Sequence, residues 1–179
     1  HNKVIDLLKS KYHAVVNPDI LVDSDVLTQL SVYLESHPDI GMITPRILNI
    51  DGTEQYLPKR NPRFIYLLGG RIGALSKYRR QYTREEENLY CPTDIEFCTG
   101  CFFLIRTELF QKIGGFDERY FMYFEDADLT RTVRTTARAI YYPDAHIFHK
   151  WERAGAKQMK FFLIQLKSMF QYFAKWRKS

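Results

Sequence analysis

Three carboxylates, Glu125, Asp126 and Asp128, fall within four residues, directly after a stretch rich in rings: Phe116, Tyr120, Phe121, Tyr123 and Phe124. Arg131, Arg134 and Arg138 follow at helical spacing, so the acids sit where a helix begins. Unpartnered backbone N–H groups and the positive end of the helix dipole stabilise acids in a first turn, and that alone would account for them. It does not account for the rings. Aromatic faces are the surface on which a sugar ring stacks, and by excluding water they raise the pKa of a carboxyl beside them. The combination fits a general base that takes a proton from a carbohydrate hydroxyl.

Other groups with chemistry in them lie on both sides of this stretch. Asn17-Pro18-Asp19 follows an apolar run; an Asp beyond the carboxyl end of a buried strand is placed to hold a metal or nucleotide, although Asn-Pro-Asp is also an ordinary turn. Cys98 and Cys101 form a C-x-x-C pair, but a zinc site lacks its further ligands and a thiol–disulfide site would start a helix, whereas this pair falls in a strand. Gly100 between them marks close approach of a ligand or another backbone. His146 and His149, three apart in an extended run, point to opposite faces, so one at most meets a site.

Alternating strands and helices must position these groups. Residues 1–11, with Val4, Ile5, Leu7 and Leu8, read as an incomplete amphipathic helix leading to a strand over residues 12–16. Asp23 or Ser24 caps a helix that runs to His37, with Val26, Leu27, Leu30, Val32, Tyr33 and Leu34 as its apolar stripe. Residues 40–50 alternate as a strand, turn at Asp51-Gly52 and return over residues 53–57. Further on, residues 93–106 read as a strand pair with Thr99-Gly100-Cys101 at its centre. Residues 107–113 form a short helix, residues 139–142 a strand and residues 143–145 a turn into the histidines. Residues 58–88 carry Lys59, Arg60, Arg63, Arg71, Lys77, Arg79, Arg80 and Arg84 around Gly69-Gly70. They read either as a lid whose cations hold a diphosphate or as solvated polar chain.

A chain of 179 residues that is 45% hydrophobic can bury one core. Residues 152–179 hold seven cations against one carboxylate, a net +6 that leaves −1 for the remainder of the total +5. Basicity confined to a tail excludes a nucleic-acid footprint over the domain. In that tail Phe162, Leu166, Met169, Phe173 and Trp176 share one helical face, and Lys157, Lys160, Lys167, Lys175 and Lys178 lie opposite. Such a helix fits a membrane surface, or packs on its own domain or on a second subunit as a homodimer. Three cysteines, Cys91, Cys98 and Cys101, with no secretory signal favour a reducing, cytoplasmic compartment, with the helix peripheral on the inner face of the plasma membrane. No run reaches the about 18 apolar residues of a spanning helix.

Gly114-Gly115-Phe116-Asp117-Glu118, the aromatics that follow, and Glu125-Asp126-Ala127-Asp128-Leu129 match in order the signature of family 2 glycosyltransferases of the GT-A fold. The sequence resembles their rhamnosyltransferase-like branch in having Asn17-Pro18-Asp19 where other members carry Asp-x-Asp. The resemblance implies an α/β fold with a GT-A-type mixed sheet flanked by helices. It covers nearly the whole chain but only the C-terminal half to two-thirds of such a catalytic domain. Residues 1–151 would be a partial domain without its N-terminal nucleotide-binding part, inactive alone, and residues 152–179 a basic amphipathic C-terminal helix.

The implied activity is inverting transfer of a sugar, rhamnose by the Asn-Pro-Asp variant, from a nucleotide-diphosphate donor to a hydroxyl of a cell-surface polysaccharide or lipid-linked saccharide. By the same resemblance Asp126 is the base, and Asp19 and His149, which lies 23 residues beyond Asp126, hold a divalent Mn or Mg ion. Asn17, Gly100 and Cys101 border the donor and acceptor. Asp117 and Glu118 contact acceptor hydroxyls, Glu125 flanks the base, and Asp128 orients the helix or binds acceptor. Two other readings stay open: a non-catalytic carbohydrate-binding or assembly module, independent of metal and nucleotide, and a metal-dependent sugar-phosphate hydrolase, which turns over without an acceptor alcohol.

Overall fold

The computed structural model of the chain describes residues 1–69, 75–150 and 159–177. Gly70, Arg71, Glu152, Arg153, Lys157 and Lys178, and the domain boundary drawn at 151/152, lie outside the described residues. Six strands form one mixed sheet: β1 (Tyr12–Val16), β2 (Ile20–Leu21), β3 (Ile40–Leu48), β4 (Thr93–Asp94), β5 (Phe102–Arg106) and β6 (Arg138–His149). Their order is β1-β5-β3-β6-β2, with β4 paired to the other end of β6. Only β3 and β6 run parallel.

Successive residues of β5 point to opposite faces and build two cores. Phe102 and Leu104 join Val26, Leu30 and Leu34 of helix α1 (Val26–Ser36) on one face. Phe103 and Ile105 join Phe110 of α4 (Thr107–Lys112) and Leu129 and Val133 of α5 (Glu125–Val133) on the other. The Arg106 guanidinium closes the end of α1, donating to the carbonyls of Leu34 (2.6 Å) and His37 (3.1 Å), which also accept from the backbone N–H groups of His37 and Ile40.

Several sequence expectations are corrected. The first helix is a 3-10 turn over Asn2–Leu7. Asp25, not Asp23 or Ser24, caps α1 by accepting from Thr28 N, and Leu27 and Val32 face solvent. Strand β3 is buried on both faces along most of its length rather than alternating, as befits a strand covered by helices on each side. Its hairpin return shrinks to one bridge, Leu48 to Glu54, after the Gly52 turn at φ 83°. The expected turn at 143–145 is a bulge inside β6, where pairing jumps from Pro45–Tyr142 to Arg46–His146; Pro143 has no N–H for the ladder, so it suits a bulge. Residues 95–101 are irregular, which puts Gly100 in the loop before β5 rather than inside a strand. Residues 58–88 contain two unforeseen helices, α2 (Phe64–Gly69) and α3 (Ser76–Thr83).

The last helix, α6 (Met159–Lys175), packs on its own domain. Tyr172 is fully buried with Phe97, Tyr120, Phe124 and Ala127, and Met169, Phe173 and Trp176 pack around them.

Candidate active site

Everything at the acidic stretch depends on how the chain enters α5. Tyr123 (φ 68°) and Phe124 (φ 67°) both adopt the left-handed region, at about 1–3 kcal/mol each for residues with a side chain. Tertiary packing holds them there: the Phe124 ring sits against Tyr172 at 5.5 Å and Phe173 at 6.5 Å, and Ser168 of α6 donates to the Met122 carbonyl at 2.8 Å. Ahead of this entry the Gly115 loop is clamped by Asn2, whose side chain accepts from Phe116 N (2.9 Å) and donates to Phe116 O (2.7 Å). A Cβ on Gly115 would come within 2.4 Å of that Asn2 oxygen.

The helix is then sewn to the loop before β5. Thr130 Oγ1 accepts from Cys98 N at 3.0 Å, and Gly100 N donates to Asp126 Oδ2 at 3.0 Å. A Cβ at residue 100 would lie 3.3 Å from the Asp126 Cβ. The close approach expected of this glycine is therefore made to Asp126. Cys101 turns into the first core, and Cys98 into the second, both as free thiols. Cys101 borders neither cavity described below, and its backbone contribution is the carbonyl that accepts from Asn17 N at 2.8 Å.

Two cavities flank the start of α5. The first, about 430 Å³, brings together Asn17, Gly100, Asp117, Glu118 and Glu125 with Phe116, Tyr120 and Phe121. Phe121 is 81% exposed, a ring face open at the rim. The second, about 350 Å³, is lined by Asp126 and Glu125, by Tyr82, Phe97, Tyr123 and Phe124, and by Lys59 and Gln165. Glu125 belongs to both, and its Oε2 is buried with no hydrogen-bond partner among the described residues.

The electrostatics follow from these partners. Burial raises the Asp126 carboxyl above its ordinary value, opposed by the Gly100 N–H, the Lys59 ammonium and its neighbouring N–H groups. Burial and the Asp126 charge push Glu125 up to about 7. Asp117 behaves oppositely: Arg119, and then Lys175, hold it well below the carboxylate range. Asp128, expected to orient the helix or meet acceptor, borders neither cavity. It is 2% exposed and bonded to Lys175 Nζ (2.6 Å) and Trp176 Nε1 (2.7 Å), so it fastens α6. Lys175 accordingly faces the protein, not the outer face assigned to it from periodicity.

Asp19 and His149 come together beyond Asn17, outside the lining of these two cavities. Pairing of β2 with β6 sets Ile20 opposite His149, and His149 Nε2 lies 3.3 Å from Asp19 Oδ2. Gln55 donates to His149 O (2.8 Å) and Asn49 Oδ1 (2.9 Å), which turns its own oxygen to His149 Nδ1 at 3.0 Å. That acceptor places the ring proton on Nδ1 and aims the Nε2 lone pair at Asp19, the orientation a metal-ligating histidine needs. The pair therefore fits two ligands of a divalent cation; no group of three or more His, Cys, Asp or Glu gathers among the described residues. His146 faces away, toward Asp23.

Lys59, Tyr82 and Gln55 were not singled out from sequence. Lys59 is one of eight cations in residues 58–88, and nothing local distinguishes it. Gln55 could be found only by knowing that it meets a histidine 94 residues on.

No protein-family model matches the chain. It is 37% identical over 186 aligned positions to Rhamnosyltransferase WbbL of Escherichia coli (strain K12), covering 99% of this chain and 69% of that protein. It is 30% identical over 141 positions to N-acetylglucosaminyl-diphospho-decaprenol L-rhamnosyltransferase of Mycobacterium tuberculosis, covering 75% of this chain and 45% of that one. The chain thus spans roughly half to two-thirds of the length of these relatives. Among solved structures, the mannosyltransferase PcManGT from Pyrobaculum calidifontis, in complex with GDP-Man and Mn2+, superposes with a TM-score of 0.55 at 16% identity, over 99% of this chain and 42% of that one. That likeness is one of fold.

Proposed function

The chain belongs to the rhamnosyltransferase-like family 2 glycosyltransferases, and from that premise we propose that it carries the base and acceptor side of an inverting rhamnosyl transfer. Asp126 accepts the proton of an acceptor hydroxyl as its oxygen attacks the anomeric carbon, and the bond to the nucleotide diphosphate breaks with its electron pair leaving on the diphosphate. The observation that carries this reading is a desolvated carboxylate at an aromatic-walled cavity, oriented by the Gly100 N–H and raised toward neutrality, as a general base requires. Asn17, Gly100, Asp117, Glu118 and Glu125 border the neighbouring cleft and are assigned to donor and acceptor hydroxyls. A Mn or Mg ion on Asp19 and His149 would supply the positive charge that neutralises the departing diphosphate.

The donor assigned is deoxythymidine-diphosphate-rhamnose, and the acceptor a polysaccharide or lipid-linked saccharide at the cytoplasmic face of the membrane. On α6 Met159, Leu163 and Phe170 make an exposed apolar stripe flanked by exposed Lys160 and Lys167, which supports a peripheral lipid contact. None of the described helices is long and apolar enough to cross a membrane.

Transfer of labelled rhamnose from that donor by the full-length protein, with and without acceptor and Mn2+, tests the reading. Calorimetric titration of nucleotide diphosphates with Asp19→Ala as control tests the metal ligands. Acceptor-dependent transfer that needs metal and Asp19 is expected. Sugar released without acceptor would mean a hydrolase, and neither turnover nor nucleotide binding would mean a carbohydrate-binding module.

A further inference from the structure

We infer that Lys59 is the charge partner of Asp126, a positioning residue whose ammonium, held across the aromatic cavity, keeps the carboxylate ionised and ready to accept a proton. This rests on the reading of Asp126 as the base.

The placement of Lys59 is built by the backbone. Lys59 N donates to Phe97 O at 3.3 Å and Phe97 N to Lys59 O at 3.1 Å. Those two bonds register Lys59 against the segment that ends, three residues later, at the Gly100 N–H bound to Asp126. Its ammonium lies 5.3 Å from the centre of the Phe97 ring and 5.9 Å from that of Tyr82. Among the described residues Lys59 is the one cation lining this cavity, together with two carboxylates. Among the described residues its Nζ enters no hydrogen bond or ion pair, so its charge is not spent on a surface partner.

Burial penalises either charge alone, and each offsets the penalty of the other in a cavity where water does not screen them. The remaining groups around Asp126 cannot substitute. Glu125, on the same helix, opposes ionisation. Tyr82 of α3 and the Cys98 and Cys101 thiols are all driven up by burial and stay neutral near pH 7. Among the described residues the α6 side contributes only Gln165.

The test combines pH profiles of turnover for the parent protein, Lys59→Met and Lys59→Arg with a carboxyl carbon NMR titration without substrate, in which the Asp126 signal is identified by its loss in Asp126→Asn. In Lys59→Met both the Asp126 titration and the acid limb of kcat should move up by about one pH unit, with acceptor KM retained. Lys59→Arg should restore both. A reciprocal measurement leaves Lys59 in place: in folded Asp126→Asn the Lys59 ammonium should titrate at lower pH than in the parent. An Asp126 titration unmoved by Lys59→Met, a Lys59 titration unmoved by Asp126→Asn, or a rise in KM with a stationary limb would overturn the pairing; the last would make Lys59 a substrate contact. Turnover surviving in Asp126→Asn would instead overturn the base reading, and the two NMR titrations would still decide the pairing.

Discussion

Asp126 and Asp128, two residues apart in the first turn of α5, meet different halves of the molecule. Asp126 looks into a cavity where its direct hydrogen-bond donors are backbone N–H groups, from Gly100 and Ala127, and the nearest cation stands off across the space. Asp128 is pressed beneath α6, where Lys175 and Trp176 both donate to it and Tyr120 OH lies at 3.4 Å. The helix dipole favours both acids alike, so the dipole does not separate their roles. Side-chain partners do: a carboxylate whose acceptor capacity is filled by the fold holds structure together, and one left with spare lone pairs in a dry cavity is available for chemistry.

The sharpest way to break this comparison is to neutralise each acid in turn. Asp126→Asn should lower turnover by about 10²- to 10⁴-fold with an unchanged urea midpoint, whereas Asp128→Asn should leave turnover per folded molecule nearly intact. Equal losses of turnover would abolish the distinction. In the complementary direction, truncating Asp128 to Ala removes the acceptor that Lys175 and Trp176 share, leaves Lys175 its bond to Asp117, and should destabilise the protein by about 1–3 kcal/mol in urea unfolding; an effect below about 0.5 kcal/mol would mean that α6 is held by its aromatic face alone.

Asp19 extends the comparison to a third acid, one that shares its outlook with a histidine. Replacing Gln55 by Leu removes the acceptor that orients His149 and should weaken Mn2+ binding by about 10- to 100-fold in calorimetry, while the Asp126 titration stays put. Unaltered affinity would take His149 out of the metal site.

The smallest expected effect is in the pH dependence of stability. The Glu125 carboxyl is raised from 4.5 to about 7, so its ionisation opposes folding, and stability should fall as pH rises through that window. Asp117 is depressed below its ordinary 3.8, so its contribution is present above that value and lost as pH falls below it. Thermal melts of Glu125→Gln should therefore flatten the neutral side of the curve, and those of Asp117→Asn the acid side.

How much of this could be read from the chain varied with the range of the forces involved. Strand β1 and helix α4 came out almost to the residue, because an apolar run and a short amphipathic turn are local signals. The acid-rich start of α5 was equally readable. Strand β6 was split in two, since proline punctuates a sequence whether it makes a turn or sits in a bulge, and the ladder to β3 decides which. Asp128 was grouped with the substrate-facing acids because its partners lie 47 and 48 residues away on α6. Lys59 vanished among the other cations of residues 58–88, although the family signature pointed at the carboxylate it faces.

The family signature, the alternation of strands and helices and the clustering of acids behind aromatic residues are all legible in the chain, since these depend on residue type and short spacing. Which carboxylate is desolvated, which is neutralised by a neighbour and which cation stands opposite the base emerge once the chain is folded. Ionisation answers to the charges and water within a few ångströms, and the fold brings those together from segments far apart in the chain.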